Sequence, residues 1–81
     1  MSTIQIHLNG KATSCARGAT VRELVSTHLG KPIGTDGRAL DGSALGVAIA
    51  VDGAVVPRSA WSARELHSGA RIEFVTAAQG G

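Results

Sequence analysis

IQIHLNGKATSCARGATVRELVSTHLG, residues 4–30, is the stretch that decides the fold. Its apolar residues first alternate with polar ones over residues 4–8, which is typical of a strand that buries one face. Asn9-Gly10 follows, the pair that best accommodates the two positive φ angles of a type I′ turn. The pattern therefore predicts a hairpin whose second strand covers residues 11–15.

The second half of this stretch has the signature of an amphipathic helix. Thr20 and Glu23 are spaced as a capping box, in which each side chain bonds the backbone N–H of the other residue. Gly30 and Pro32 are typical of the end of a helix. Between them, residues recur at the spacing of one buried helical face: Val21, Leu24, Val25, His28 and Leu29.

After the helix, the sequence predicts a loop and then a second hairpin. Residues 33–46 carry four glycines, two aspartates and little periodicity, which indicates a loop or an irregular turn. Residues 47–51 form a short apolar run, and Asp52-Gly53 is a second hairpin turn that leads to the return strand over residues 54–56.

The last part of the chain completes a mixed sheet. Residues 59–62 are predicted as a short helical turn capped by Ser59, and a final strand runs from Arg71 to about Thr76. The order β-β-α-β-β-(short turn)-β is the α+β plan of the β-grasp, or ubiquitin-like, fold, in which one helix packs on one face of the sheet. The last strand of that fold pairs with the first in the middle of the sheet. We therefore expect a β-grasp domain over residues 1–76 and a flexible tail over residues 77–81.

The composition limits the possible classes of function. The chain has 81 residues, 43% hydrophobic and 17% charged, so it forms one small domain and is too apolar to be disordered. Its eight basic residues are scattered and its aromatic residues are Trp61 and Phe74, which argues against nucleic-acid binding. One cysteine cannot form an internal disulfide, and no signal peptide or membrane-spanning run is recognisable. We expect a cytoplasmic protein without membrane contact.

The chain ends in Ala77-Ala78-Gln79-Gly80-Gly81, which follows the last predicted strand. Glycines place no Cβ beside the terminal carboxylate and allow backbone angles closed to other residues, so such an end can enter a narrow channel. An extended stretch from Thr76 to Gly81 reaches about 20 Å at ~3.3–3.6 Å per residue. The alternative is a frayed end without function. The β-grasp body favours the first interpretation, in which the α-carboxylate is a reacting group.

The sequence resembles the ThiS family of thiamine-pathway sulfur carriers over nearly its whole length. The most specific similarity is Val56-Pro57-Arg58 followed by Trp61, joined to the terminal Gly-Gly. It departs from the family over residues 33–46, where such proteins pass more quickly from the helix to the third strand. The matching stretches are LNG at residues 8–10, ATVREL at 19–24, VDGAVVPR at 51–58 and RIEFVT at 71–76.

The resemblance implies a protein cosubstrate that is not itself an enzyme and binds no cofactor. An E1-like adenylating partner of the ThiF type would use Mg-ATP to convert the Gly81 carboxylate to an acyl-adenylate. Sulfur drawn ultimately from a cysteine desulfurase would displace AMP and leave a thiocarboxylate, which a ThiG-type thiazole synthase would accept. Gly81 is then the modified residue, and Gly80, Gln79 and Ala78 enter the partner's channel.

Three residues are candidates for docking to a partner. Arg58 could pair with an acidic group, and Trp61 could be an interface anchor, although packing over the end of the sheet is the simpler role. Phe74 and Val75 point to opposite faces of the last strand, so one of them faces the helix and the other the open face. That open face, with Val75, is the expected docking surface.

The remaining polar residues favour structural roles. Cys15 stands alone on a strand and is expected to be a small, partly buried core residue rather than a reactive thiol. Asp36 and Asp41 lie in the long loop without the spacing of a calcium site. The histidines lack metal-binding spacing and are expected at the surface or the core edge: His7, His28 and His67.

Two other functions share the Gly-Gly end. One is the small subunit of molybdopterin synthase, which uses the same tail chemistry with another acceptor. The other is a ubiquitin-like modifier conjugated to lysines, or a simple β-grasp interaction module. The segment from Pro57 to Trp61 and the short length of the chain favour the thiamine sulfur carrier.

Overall fold

A computed structural model of the chain describes residues 2–43 and 45–76. The expected strands and helix are all present, and their bounds are within one residue of those predicted. They are β1 (Thr3–Leu8), β2 (Lys11–Ala16), α1 (Val21–Leu29), β3 (Val47–Val51), β4 (Ala54–Val56), a 3₁₀ helix (Arg58–Ala60) and β5 (Arg71–Thr76).

The strands form one mixed sheet in the order β2-β1-β5-β3-β4. β5 lies in the centre, where it runs parallel to β1 with His7 opposite Arg71, and antiparallel to β3 with Val47 opposite Thr76. The β-grasp prediction is therefore confirmed, including the pairing of the last strand with the first.

Both two-residue turns have the backbone that their sequences predict. Asn9 and Gly10 have φ angles of 50° and 83°, and Asp52 and Gly53 have 52° and 86°. Two positive φ angles match the right-handed twist of the flanking strands, which is why Asn-Gly and Asp-Gly are favoured there. Each turn fixes the register of its hairpin.

The helix α1 is capped at both ends. The Thr20 side chain accepts a hydrogen bond from the Glu23 N–H at 3.2 Å, and a Glu23 carboxylate oxygen accepts one from the Thr20 N–H at 2.9 Å. Gly30 ends the helix with a φ of 69° and donates its N–H to the Ser26 carbonyl. The capping box predicted from sequence is confirmed.

The core lies between α1 and one face of the sheet. Alternate residues of the strands face it, among them Ile6, Ile49 and Ile72, whose exposed fractions are 0–1%. Each such side chain contributes about 1.5–3 kcal/mol through removal of apolar surface from water. Trp61 is the largest buried residue, and its indole N–H donates to the Val56 carbonyl at 2.9 Å.

The predicted turn over residues 59–62 forms one residue earlier, and its predicted cap is wrong. The 3₁₀ helix covers Arg58–Ala60 with Pro57 at its N-cap, and no side chain caps it. Pro57 has an extended backbone, with φ −62° and ψ 150°, and no N–H to donate, so the turn begins at the next residue. Ser59 therefore lies inside the turn and cannot cap it.

The long loop over residues 33–46 is fastened to the domain through its described part. Ile33 and Ala39 are buried and form an isolated β-bridge. The Arg22 guanidinium donates to the Ile33 carbonyl at 2.6 Å. A Cβ at Gly37, where φ is 79°, would lie 2.5 Å from the Arg58 carbonyl oxygen, so only glycine permits this close approach.

The capping box provides a direct test of helix stability. Thr20→Ala removes the acceptor for the Glu23 N–H and should lower the free energy of unfolding by about 1 kcal/mol. For a domain of this size we expect the melting temperature to fall by roughly 4–8 °C. Thr27→Ala, at an exposed position of the same helix, is the control and should not lower it. Equal melting temperatures for the two variants would contradict the assigned cap.

Candidate functional site

The candidate site is the end of β5, because this strand leads to the terminal residues. The structure describes the chain as far as Thr76. The predicted site residues of the tail lie outside the described residues: Ala78, Gln79, Gly80 and Gly81. The residues that hold and surround the end of β5 are described in full up to Val75.

The β1–β2 turn supports β5 where the β1 ladder stops. The Asn9 N–H donates to the Ile72 carbonyl at 2.9 Å, and the Asn9 side-chain oxygen accepts from the Phe74 N–H at 2.9 Å. Beyond this point β5 pairs only with β3 among the described strands, where Val75 lies opposite Ala48. Asn9 is therefore both a turn residue and a partner of β5.

The two apolar residues near the end of β5 face opposite sides of the sheet, as alternation predicts. Phe74 is half-buried on the helix side, where its ring centroid lies 4.4 Å from that of His28. Val75 is 57% exposed on the open side. The end of β5 thus has one anchored side chain and one free apolar side chain.

Val75 lies among short apolar side chains on the open side of the sheet, with the exposed Glu73 on the same face of β5. Ala48 lies opposite Val75, and Ala50 lies opposite both Glu73 and Val55. Val55 is 73% exposed. We call Ala48, Ala50, Val55 and Val75 the open-face patch. Its side chains are short, so a flat partner surface could approach the backbone closely beside the end of β5.

Of the other two predicted docking residues, only Arg58 is exposed. Its guanidinium lies 5.8 Å from the Trp61 ring centroid and 3.5 Å from the Val47 carbonyl oxygen. Trp61 has no exposed surface, so the packing role that the sequence favoured is confirmed and the alternative role as an interface anchor is wrong. The ring belongs to the hydrophobic core cluster that α1 and the strands form.

The local surroundings of three further polar residues shift their pKa values: His67, Asp52 and Cys15. His67 lies 2.7 Å from the Asp52 carboxylate, which raises the pKa of the imidazole. The Arg71 N–H, followed by His67, lowers the pKa of Asp52. Burial raises the pKa of the Cys15 thiol, so this group is not activated as a thiolate.

The two loop aspartates bind backbone groups of their own turns. Asp36 accepts a hydrogen bond from the Arg38 N–H at 3.0 Å, and Asp41 accepts from the Ser43 N–H at 2.9 Å. Hydrogen bonds from Ser43 lower the pKa of Asp41. Within residues 2–43 and 45–76, no group of three or more His, Cys, Asp and Glu side chains could hold a metal. No helix in these ranges has the length and hydropathy of a membrane span.

Two features of the surface were not predicted from the sequence. One is the second role of Asn9, whose side chain contacts a strand 65 residues away. The other is a groove of about 410 Å³ between β2 and α1, with Cys15 of β2 and Leu24 of α1 among its lining residues. The clustering of apolar and small residues in β2 was a signal for the groove, but its depth depends on how α1 sits on the sheet.

Comparison with known proteins finds one matching family and a similar solved structure. The ThiS family model matches residues 6–81. The fold is similar to the crystal structure of the thiamine biosynthesis protein ThiS from Geobacter metallireducens, with a TM-score of 0.70 and 25% sequence identity over 96% of this chain and 100% of that chain. No curated protein sequence matches the chain significantly. The family match includes the terminal glycines as well as the folded body.

The second role of Asn9 can be tested by two substitutions at one position. Asn9→Gly keeps the positive φ but removes the acceptor for the Phe74 N–H, and should cost about 1 kcal/mol of stability. Asn9→Asp keeps an acceptor and tolerates the same backbone. Amide hydrogen exchange at Phe74 should accelerate in the glycine variant and change little in the aspartate variant. Unchanged exchange in both would show that the bond does not protect β5.

Proposed function

The chain belongs to the ThiS family, and from this premise we propose that it carries sulfur for thiamine biosynthesis on the carboxylate of Gly81. The observation that carries the proposal is the extent of the family match. It runs over residues 6–81 and so joins the β-grasp body to the Gly-Gly end. The similar Geobacter structure is likewise that of a thiamine biosynthesis protein.

The first chemical step is activation of the carboxylate. A carboxylate resists attack by sulfur because its oxygens share the negative charge and neither is a good leaving group. An E1-like adenylating partner of the ThiF type would let the Gly81 carboxylate attack the α-phosphorus of Mg-ATP. The products are an acyl-adenylate and pyrophosphate, and the leaving group is now AMP.

The second step places sulfur on the tail. A sulfur nucleophile that derives from a cysteine desulfurase attacks the Gly81 carbonyl carbon, and AMP leaves. Hydrosulfide would give the thiocarboxylate directly with loss of a proton. A persulfide would give an acyl disulfide, which a second thiol then cleaves to thiocarboxylate and disulfide. A ThiG-type thiazole synthase then receives the sulfur.

The folded body would present the tail to these partners. β5 is paired with β1 at Arg71 and Ile72 and with β3 from Ile72 to Thr76, and the hydrogen bond from the Phe74 N–H to Asn9 supports it near its end. The open-face patch lies beside that end, borders the exposed Glu73 and exposes Val55 and Val75. These properties suit a docking surface that brings the tail to a partner's channel, and the exposed Arg58 is a separate candidate for pairing with an acidic group of the partner.

Sulfur loading should require the last residue, whereas the stability of the folded domain should not. Deletion of Gly81, or addition of one residue after it, should abolish sulfur loading by an adenylating enzyme with ATP and a sulfur source, as measured by intact mass. The melting temperature should change little, because a terminal segment contributes little buried surface. A large fall in melting temperature on deletion would mean that the tail is part of the core and not a delivery arm.

The acceptor should be thiazole synthase and not the large subunit of molybdopterin synthase. The tail chemistry is common to both, so selection must come from contacts of the body. The loaded protein should support thiazole formation in a reconstituted assay and should fail to sulfurate the molybdopterin precursor. Molybdopterin formation without thiazole would contradict the proposal and favour the alternative carrier.

The contribution of the open-face patch can be measured in the same assay. Val75→Asp places a charge in the patch and should reduce sulfur transfer about tenfold or more, as loss of a central contact does. Leu40→Asp is the matched control, because Leu40 is 70% exposed but lies in the long loop. Circular dichroism should show both variants folded. Equal transfer by the two variants would exclude the patch from docking.

A further inference from the structure

β2 is an open edge of the sheet and lies beside an apolar groove. It is the first strand in the order β2-β1-β5-β3-β4, so no described strand covers its outer side. The groove between β2 and α1 has a volume of about 410 Å³. This lies within the range of roughly 300–1,000 Å³ that is typical of ligand pockets.

The register of the hairpin defines which backbone groups are available. The Arg17 N–H donates to the Ser2 carbonyl, so odd-numbered residues of β2 bond to β1 and even-numbered residues direct their groups outward. Ala12 and Ser14 therefore present both N–H and C=O at the open edge. The Ala16 carbonyl accepts from the Ala19 N–H at 3.1 Å, which limits the open ladder at that end.

The side chains that line the groove beside this edge are suited to contact apolar side chains of a bound segment. β2 contributes Thr13 and Cys15 to the wall of the groove, and burial raises the pKa of the thiol, so it is uncharged at neutral pH. α1 contributes Leu24 and Thr27 to the facing wall. Glu23 also lines the groove, but its carboxylate accepts the Thr20 N–H of the capping box.

We propose that the groove between β2 and α1 binds an extended segment of another protein, which adds a strand to β2 and inserts alternate apolar side chains beside Cys15 and Leu24. Main-chain hydrogen bonds give affinity in this mode of recognition, and pockets for alternate side chains give specificity. The site lies on the helix side of the sheet, so the open-face patch stays free when it is occupied. Binding in the groove does not depend on the chemistry of Gly81.

The positive charges at the ends of β2 favour one kind of binding segment in the groove. Lys11 and Arg17 are exposed at the two ends of β2. An antiparallel pairing of two copies centred on Ser14 would place Lys11 opposite Arg17 of the other copy, and like charges opposite each other are destabilising. A second copy is therefore disfavoured. An extended segment with an acidic residue beside Lys11 is favoured, because it would pair with that ammonium group.

The probes are short synthetic peptides and the readout is the backbone amide spectrum of the full chain. The first peptide alternates valine with threonine and has aspartates at one end. The second has the same sequence with alternate amides N-methylated, which keeps the side chains and removes ladder donors. The third has the sequence of Ala77–Gly81, and the fourth replaces the aspartates of the first by lysines.

We expect the first peptide to shift the amide signals of Ala12, Ser14 and Ala16 and to bind more tightly than the other three. Ser14→Pro removes an outward N–H at a position where an edge strand tolerates proline, and should weaken binding about tenfold. Val55→Pro at the opposite edge of the sheet is the matched control and should bind as the unmodified chain does. Lys11→Glu should reverse the preference between the aspartate and lysine peptides.

Several outcomes would overturn the proposal. Equal binding of the N-methylated peptide would exclude strand addition, even if Ser14→Pro failed to fold. Shifts confined to the open face at Ala48 and Ala50, or no binding at all, would also overturn it. Tighter binding of the Ala77–Gly81 peptide would make the chain's own tail the occupant. Shifts of the Ser14 amide with protein concentration alone would make a second copy the occupant.

Discussion

The pairing of β5 with β1 in the middle of the sheet is the constraint on which the rest of the structure depends. β1 and β5 run parallel although they lie at opposite ends of the described chain. Parallel neighbours require a long crossover, and here the helix, the loop and the second hairpin together form it. The same pairing places β5 between β1 and β3, and the described part of the chain ends with this central strand at Thr76.

This constraint also divides the surface into regions with different uses. The helix covers one face of the sheet, and the core residues Ile6, Ile49 and Ile72 all point to it. The other face remains open and has short side chains around Val75. The edge at β2 remains open as well, since β1 is held between β2 and β5. The described residues therefore leave two separate surfaces of this small domain uncovered, and the chemistry that we propose is assigned to its terminus.

Much of the fold could be predicted from local sequence because its turns and caps use residues with strong conformational preferences. Asn9-Gly10 and Asp52-Gly53 define both hairpins, and Thr20 with Glu23 defines the start of the helix. The features that could not be predicted depend on contacts between distant residues. The bond from Phe74 to Asn9 and the close approach of Gly37 to Arg58 exist only after the sheet and loop have assembled.

The site was predicted only in part for the same reason. Alternation along β5 correctly assigned Phe74 and Val75 to opposite sides of the sheet, and the structure places Phe74 on the helix side. For Trp61, packing was the simpler of the two roles that the sequence allowed, and the structure confirms it. Its complete burial follows from the volume that α1 and the sheet leave between them, and the indole bond to the Val56 carbonyl fixes it there.

We propose that the terminal carboxylate is the one group of this chain that carries sulfur. The most direct test is fragmentation mass spectrometry of the intact protein after incubation with the adenylating enzyme, ATP and a sulfur source. We predict a gain equal to the mass difference between one sulfur and one oxygen atom, located in the fragment that contains Gly81, in both the unmodified chain and Cys15→Ser. Sulfur located at Cys15, or a folded Cys15→Ser variant that does not load, would contradict the account.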